Sequence, residues 1–456
     1  MIFIDKNTIR TLFSRAMSEM YQREVPQYST LLELVEKVNR QTLESKPALL
    51  TQLKEANDLN RISEERHGAI RLGKAEELNT IRQLFAVMGM YPVGYYDLSI
   101  AGMPVHSTGF RPTDDNDLKR NPFRIFTSLL RTELIADKKI REMAEVILSS
   151  RDIFTKRVRE LIALNRQQGG LTFEQGQEFV SEAIDTFRWH KEAIISHKNY
   201  DLLKKIHPLV ADVVSFKGPH INHLTPRTLD ITTVQNEMTS MGLNPKAIIE
   251  GPPEMDWPIL LRQTSFKALE EPILFPTESG QLEKGTHRAR FGEIEQRGAA
   301  LTPKGHQLYE KLLSEVHSEI LPRLDGSNGK EYYSILEQTF KGFPKTIEEM
   351  RRQKLIFLEY RLKENKSNSL KDYSDNQLDN LIKNGHITYY PIVYEDFLPV
   401  SAAGIFTSNL GDQAPKITAS SNKAAFEKAL GTKVIDPFQL YRTKQENSLK
   451  TMFTYS

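Results

Sequence analysis

ERHGAIRLGKAEELNTIRQLFAVMGMYPVGYYDL, residues 65–98, decides how the rest of the chain is read. The run His67 to Leu72 suits a strand. After it Leu78, Ile81, Leu84, Phe85 and Met88 recur at helical spacing, with acids in the first turn and Gly89 as the stop. MYPVGYYDL then returns to extended chain. The same order recurs in HLTPRTLDITTVQNEMTSMGLNPKAIIEGPP, residues 223–253. There a strand-like stretch leads to Asp230 as N-cap, to Ile231, Val234 and Met238 as an apolar face, to Gly242 as the stop and to KAIIEG as the next strand. His67 is followed four positions later by Arg71, as His223 is by Arg227. Each helix closes in a Met-Gly-apolar-x-Pro turn, MGMYP at 88–92 and MGLNP at 241–245. Matching residues on matching elements indicate an internal duplication.

Downstream of the second copy, PILLRQTSFKAL (258–269) and RARFGEIEQRG (288–298) suit two further strands and complete a βαβββ unit. The first copy finds its third strand in MPVHSTGFRP (103–112), after which FRIFTSLLRTELI and EMAEVILSSRDIFTKRVRELIAL read as helical. The expected organisation is an N-terminal helical segment at 1–60, a first βαββ unit at 61–112 and a helical insertion at 113–210. A second βαβββ unit follows at 211–300, a second helical insertion at 301–385, strands returning to the sheet at 386–410 and a C-terminal segment at 411–456.

Composition narrows the chemistry. The 456 residues contain no cysteine, so any metal must be held by nitrogen and oxygen ligands. The 61 basic and 59 acidic side chains are spread along the chain without a basic block, which argues against a nucleic-acid partner. Apolar runs stay short of the ~20 residues a bilayer crossing needs, and the mixed-charge start lacks the pattern of a secretory signal, so a soluble cytoplasmic protein with no membrane partner is expected. The sequence carries no indication of oligomeric state.

Paired βαβββ units that curl into an open barrel around a metal define the vicinal oxygen chelate architecture, which this duplication resembles. The expected fold class is therefore α+β, a vicinal oxygen chelate-type β-barrel built from two βαβββ-like units with large helical insertions. Equivalent positions of the two units should meet, which makes His67 and His223 candidate ligands for divalent iron, zinc or manganese. A third ligand is expected from FGEIEQRG, where alternation sets Glu293, Glu295 and Arg297 on one strand face. Either glutamate suits the metal, and the other could pair with Arg297.

Even spacing puts Arg71 on the cavity side with His67. Arg227 has the same parity with His223 and reads equally as a carboxylate contact or as half of an ion pair. His220, three before His223, would face the other way on an extended strand and reads as a structural residue beside the cleft. His106 reads as structural, with a place in the pocket as the alternative; His287, His306, His317 and His386 have no convergent support.

The strand FGEIEQR is similar to the Phe-x-Glu-Ile-x-Gln-Arg strand of 4-hydroxyphenylpyruvate dioxygenase, whose glutamate binds iron. More closely, ERHGAIRLG, HINHLTPRTLD, LLRQTSFKALEEP, RFGEIEQRG and YEDFLPVSAAGIF resemble the 2-oxoadipate dioxygenase/decarboxylase family, also called hydroxyglutarate synthase. The resemblance runs from about residue 60 to 410. It implies an Fe(II)- and O2-dependent enzyme of lysine breakdown that converts 2-oxoadipate to 2-hydroxyglutarate with loss of CO2. It also implies His67, His223 and Glu293 as metal ligands around which the 2-oxo acid binds, Arg71 as the catalytic arginine that holds a carboxylate, and Val400 as a substrate contact. Two other readings fit the same cradle: a glyoxalase-like zinc or nickel lyase or isomerase, and a non-catalytic small-molecule binding protein.

Overall fold

Strand β1 (Arg66–Leu72) divides its side chains between two environments. Ile70 and Leu72 enter the main apolar core beside Leu78, Ile81, Leu84 and Phe85 of the helix Ala75–Val87. His67, Ala69 and Arg71, of the other parity, line a cavity. The helix starts where Gly73 N–H donates to Glu77 Oε2 at 2.8 Å, and it ends at Gly89, whose φ of 67° lies in the left-handed region that glycine enters freely. The second copy is capped as its sequence predicts, with Thr233 N–H donating to Asp230 Oδ1 at 3.0 Å ahead of the helix Ile231–Met238.

The computed structural model describes residues 2–323, 325–363, 375–398 and 422–454. The chain is a mixed α/β protein that divides into two units. The larger comprises residues 1–250, 263–295 and 397–435. After β1 come β2 (Tyr91–Asp97), β3 (Val105–Arg111), β4 (Arg124–Leu130) and β5 (Leu224–Pro226), in a five-stranded sheet of order β2-β3-β4-β1-β5. β1 runs parallel to β4, with His67 opposite Arg124 and Arg71 opposite Ser128. β1 also pairs antiparallel with β5, with His67 opposite Thr225.

The strand β4 corrects the sequence reading, which placed FRIFTSLLRTELI in a helical insertion from residue 113. Six of the seven β4 residues are buried, so both faces are covered. A strand buried on both sides shows the near-continuous apolar run that periodicity cannot tell from a buried helix. The first unit of the duplication is thus βαβββ and reaches residue 130; the helices from Lys138–Ser150 to Pro208–Ser215 follow it.

The second copy continues with β6 (Leu261–Ser265), β7 (Glu270–Pro276), β8 (Leu282–Arg288) and β9 (Glu293–Arg297). β6 pairs with β9, and β7 with β8. Bridges join Arg227 to Glu295 in parallel and Glu250 to Gln263 antiparallel. The order 250, β6, β9, β5 therefore repeats the order β2, β3, β4, β1 of the first copy. The hairpin β7–β8 has no counterpart there. KAIIEG contributes one bridge, at Glu250, rather than a regular strand.

The smaller unit comprises residues 251–262, 296–396 and 436–456. Its helices include Pro303–Glu319, Gly329–Thr339 and Pro437–Thr454, and Tyr309, Tyr332, Val316 and Leu336 are buried in it. The 386–410 stretch was expected to return to the barrel. Of it, β11 (Ile387–Pro391) pairs antiparallel with β10 (Leu358–Leu362), Val393 bridges Ala299 antiparallel just beyond β9, and residues 399–410 lie outside the described residues. No helix among the described residues is long and apolar enough to cross a membrane.

Candidate metal centre

Three segments deliver one donor each. His67 comes from β1, His223 from the residue before β5, and Glu293 opens β9. Their ligand atoms lie within 4.8 Å of one another, and all three residues are buried. His67 Nε2 is 3.0 Å and His223 Nε2 3.6 Å from Glu293 Oε1. Thr225, opposite His67 in the sheet, donates its hydroxyl to the same oxygen at 3.0 Å.

Backbone contacts hold these segments at close range. Phe291 N–H donates to the Asn222 carbonyl at 3.1 Å, and Asn222 N–H donates to the Ala69 carbonyl at 3.0 Å. The Tyr21 hydroxyl lies 2.9 Å from the carbonyl of Asn222 and 2.7 Å from that of Phe291. A Cβ at Gly68 would stand 2.8 Å from the His223 carbonyl oxygen, so the glycine after His67 is what allows this approach.

The two glutamates that alternation could not separate take opposite edges of one ring. Glu293 faces His67 Nε2, and Glu295 Oε2 approaches Nδ1 at 3.1 Å. Burial pulls the His67 pKa down, but Glu295 and Glu293 outweigh it and leave it raised. His223 is pushed down to about 4, chiefly by burial, and so stays a neutral imidazole with a free lone pair. Burial would raise the Glu293 pKa, yet the two histidines and Lys246 bring it below its ordinary value. Two imidazoles and a carboxylate, one imidazole backed by a second carboxylate, form a donor set that fits a divalent transition metal.

Glu295, which the sequence offered as a partner for Arg297, has Arg124 as a partner at 2.6 Å, and Arg297 donates to the carbonyls of Tyr394 and Asp396. Arg124 also binds Glu65 at 2.8 Å, and Glu65 with Asp58 takes Arg227 at 3.1 and 2.9 Å. Of the two alternatives for Arg227, the structure shows the ion pair. β5 runs antiparallel to β1 with His67 opposite Thr225, so the same register carries Arg227 to Glu65, at the end of β1 away from Arg71.

The cavity beside the three donors measures about 80 Å3, on the order of half a dozen waters. Arg71, Gln263 and Ser128 give it polar groups, and Phe126, Phe291 and Phe397 are among its apolar walls. That size suits a small acid rather than a nucleotide or peptide. Arg71 Nη1 donates to Asp212 Oδ2 at 2.7 Å.

His220 is turned away from the donors, with Nε2 3.2 Å from Asp212 Oδ1, and His287 joins the same carboxylate at 2.8 Å. His106 lies in a different cavity, against Phe426 and Tyr95. Val400 lies outside the described residues. Sequence reasoning missed Asp212, His287 and Gln263. Asp212 did leave a signal, because a lone acid in the apolar run LVADVVS needs a buried partner.

A family model described as 2-oxoadipate dioxygenase/decarboxylase matches residues 13–409. A protein of that name from Escherichia coli K12 is 53% identical over 447 residues, covering 98% of both chains. One from Pseudomonas putida is 51% identical over 451 residues, covering 98% of this chain and 97% of its own. The crystal structure of the Pseudomonas putida hydroxyglutarate synthase in complex with 2-oxoadipate superposes with a TM-score of 0.89 at 47% identity, covering 99% of this chain and 98% of that one.

Proposed function

The chain belongs to the 2-oxoadipate dioxygenase/decarboxylase family, and on that premise we propose that His67, His223 and Glu293 hold an Fe(II) ion and that O2 is the co-substrate. The reaction is the conversion of 2-oxoadipate to 2-hydroxyglutarate with loss of CO2. The observation that carries the metal assignment is the convergence of three buried donors on one cavity that also contains an arginine. The duplicated strand order supports a vicinal oxygen chelate-type barrel as the frame of that cavity.

Bound there, the ion supplies the oxygen activation and Lewis acidity that oxidative decarboxylation of a 2-oxo acid requires. The protein's own groups do the rest. The Glu295 carboxylate, 3.1 Å from His67 Nδ1, favours the tautomer with the proton on Nδ1 and leaves the Nε2 lone pair for the metal. Arg71 holds a substrate carboxylate through charged N–H donors. Phe126, Phe291 and Phe397 keep water from the reacting carbon and strengthen every charge contact inside. Val400 is retained as a substrate contact on the family resemblance.

The test is anaerobic loading with Fe(II), followed by 2-oxoadipate and then air. O2 uptake and CO2 release should begin together, in equal amounts, only when air enters. Glu293→Ala should lose the iron, and Arg71→Ala should keep it but bind 2-oxoadipate poorly. Turnover without O2 would replace this reading with a lyase, and binding without turnover with a sequestering protein.

A further inference from the structure

Arg71 is the end of a buried chain of hydrogen bonds. Its Nη1 donates to Asp212 Oδ2 at 2.7 Å, from a side chain 15% exposed to one 4% exposed. Asp212 Oδ1 lies 2.8 Å from His287 Nε2, and the Tyr200 hydroxyl lies 2.9 Å from His287 Nδ1. An ionised carboxylate only accepts, so the His287 proton resides on Nε2 and Nδ1 accepts from Tyr200. The direction of each bond from Tyr200 through His287 to Asp212 is thereby set.

These four residues come from four elements: β1, the helices His197–Ile206 and Pro208–Ser215, and the hairpin strand β8. The Trp189 ring stacks on His287 at 6.0 Å and 16°, and Phe216 packs against it at 4.7 Å. A guanidinium has five N–H donors, and among the described residues Asp212 takes one of them. Asp212 is held in turn from its other oxygen, so the remaining face of Arg71 is aimed rather than free to rotate.

We propose that Asp212, His287 and Tyr200 are positioning residues that orient Arg71 in the cavity and so set the affinity for the dicarboxylate substrate. This rests on the reading of Arg71 as the carboxylate contact. The physical basis is preorganisation: a long, rotamer-rich arginine side chain fixed before binding does not lose that freedom at the expense of the substrate's affinity. Asp212, His220 and His287 also lie close enough to hold a cation. Arg71 balances the one carboxylate and the His287 N–H points at it, while among the described residues both buried ring nitrogens of His220 lack a hydrogen bond, so metal content is part of the test.

The test uses the iron-loaded full chain and four variants: Asp212→Asn, Tyr200→Phe, Arg71→Ala and the double variant Arg71→Ala/Asp212→Asn. Asp212→Asn should raise KM for 2-oxoadipate about tenfold or more while kcat and iron content hold. Tyr200→Phe, which removes a single oxygen, should raise KM about two- to threefold with a folded protein whose Tm falls by only a few degrees, and it carries the test should Asp212→Asn not fold. In the Arg71→Ala background Asp212→Asn should add nothing. An unchanged KM in Tyr200→Phe and Asp212→Asn, or full additivity in the double variant, overturns the proposal. So does a second equivalent of metal in the parent that Asp212→Asn loses. An Arg71→Ala enzyme with parental KM would instead remove the role of Arg71 from which the proposal starts.

Discussion

Glu295 Oε2 stands 3.1 Å from His67 Nδ1, on the ring edge opposite the nitrogen that faces Glu293. A carboxylate in that place fixes the tautomer and raises the basicity of the ligating nitrogen. Glu295→Gln should therefore weaken Fe(II) binding about 10- to 100-fold without abolishing it, whereas Glu293→Ala, on the proposed ligand set, should abolish it. Metal titration of the two variants checks this, and equal losses would mean that the glutamates share one role.

Arg124 is fully buried between Glu295 and Glu65, at 2.6 and 2.8 Å. Removing it leaves two buried carboxylates without that counter-charge. Arg124→Met should cost about 3–5 kcal/mol of stability, and the loss should be read first as a lower urea midpoint. A variant as stable as the parent would show that Arg227 and Arg61, the latter 3.4 Å from Glu65, suffice to neutralise this cluster.

The duplication was legible because two four-residue spacings and two helix stops agreed, His67 with Arg71 against His223 with Arg227, and Gly89 against Gly242. Strand parity also put Glu293 and Glu295 on one face, and there they lie. What parity could not give is which ring nitrogen each approaches, since that depends on where His67 sits between them. Arg227 does not reach the cavity as Arg71 does because the antiparallel β1–β5 register sets it beside Glu65, where Glu65 and Asp58 take its charge. The hairpin β7–β8 went unread because LEKGTHR is largely solvent-exposed and lacks apolar alternation. His287 and Asp212, 75 residues apart, share no motif at all.

Gly68 separates His67 from a second constraint. A Cβ there would meet Ile221 Cδ1 at 2.7 Å and the His223 carbonyl oxygen at 2.8 Å. The side chain could yield, but the backbone carbonyl belongs to a ligand residue. Gly68→Ala should cost about 1–3 kcal/mol and widen the gap between the two histidines. Weaker iron affinity alongside a lower Tm is the expected pair of readouts; a Tm loss with parental iron affinity would place the strain elsewhere.

His207 couples acidity to the helix that carries Asp212. It precedes that helix, and Leu209 N–H donates to its Nδ1 at 3.1 Å, which requires an unprotonated nitrogen. Burial, reinforced by the Arg71 charge, pushes its pKa down to about 4. The unfolded chain, with an ordinary histidine value near 6.5, binds the proton first as pH falls. The contribution of His207 is thus fully present above about pH 6.5 and declines as pH drops toward 4, at up to about 1.4 kcal/mol per pH unit. Asn at this position keeps a side-chain acceptor for the helix start and does not titrate. In urea unfolding at stepped pH, His207→Asn should therefore lose stability less steeply than the parent between pH 6.5 and 4. Parallel curves for the two proteins would mean that His207 is not held neutral in the fold.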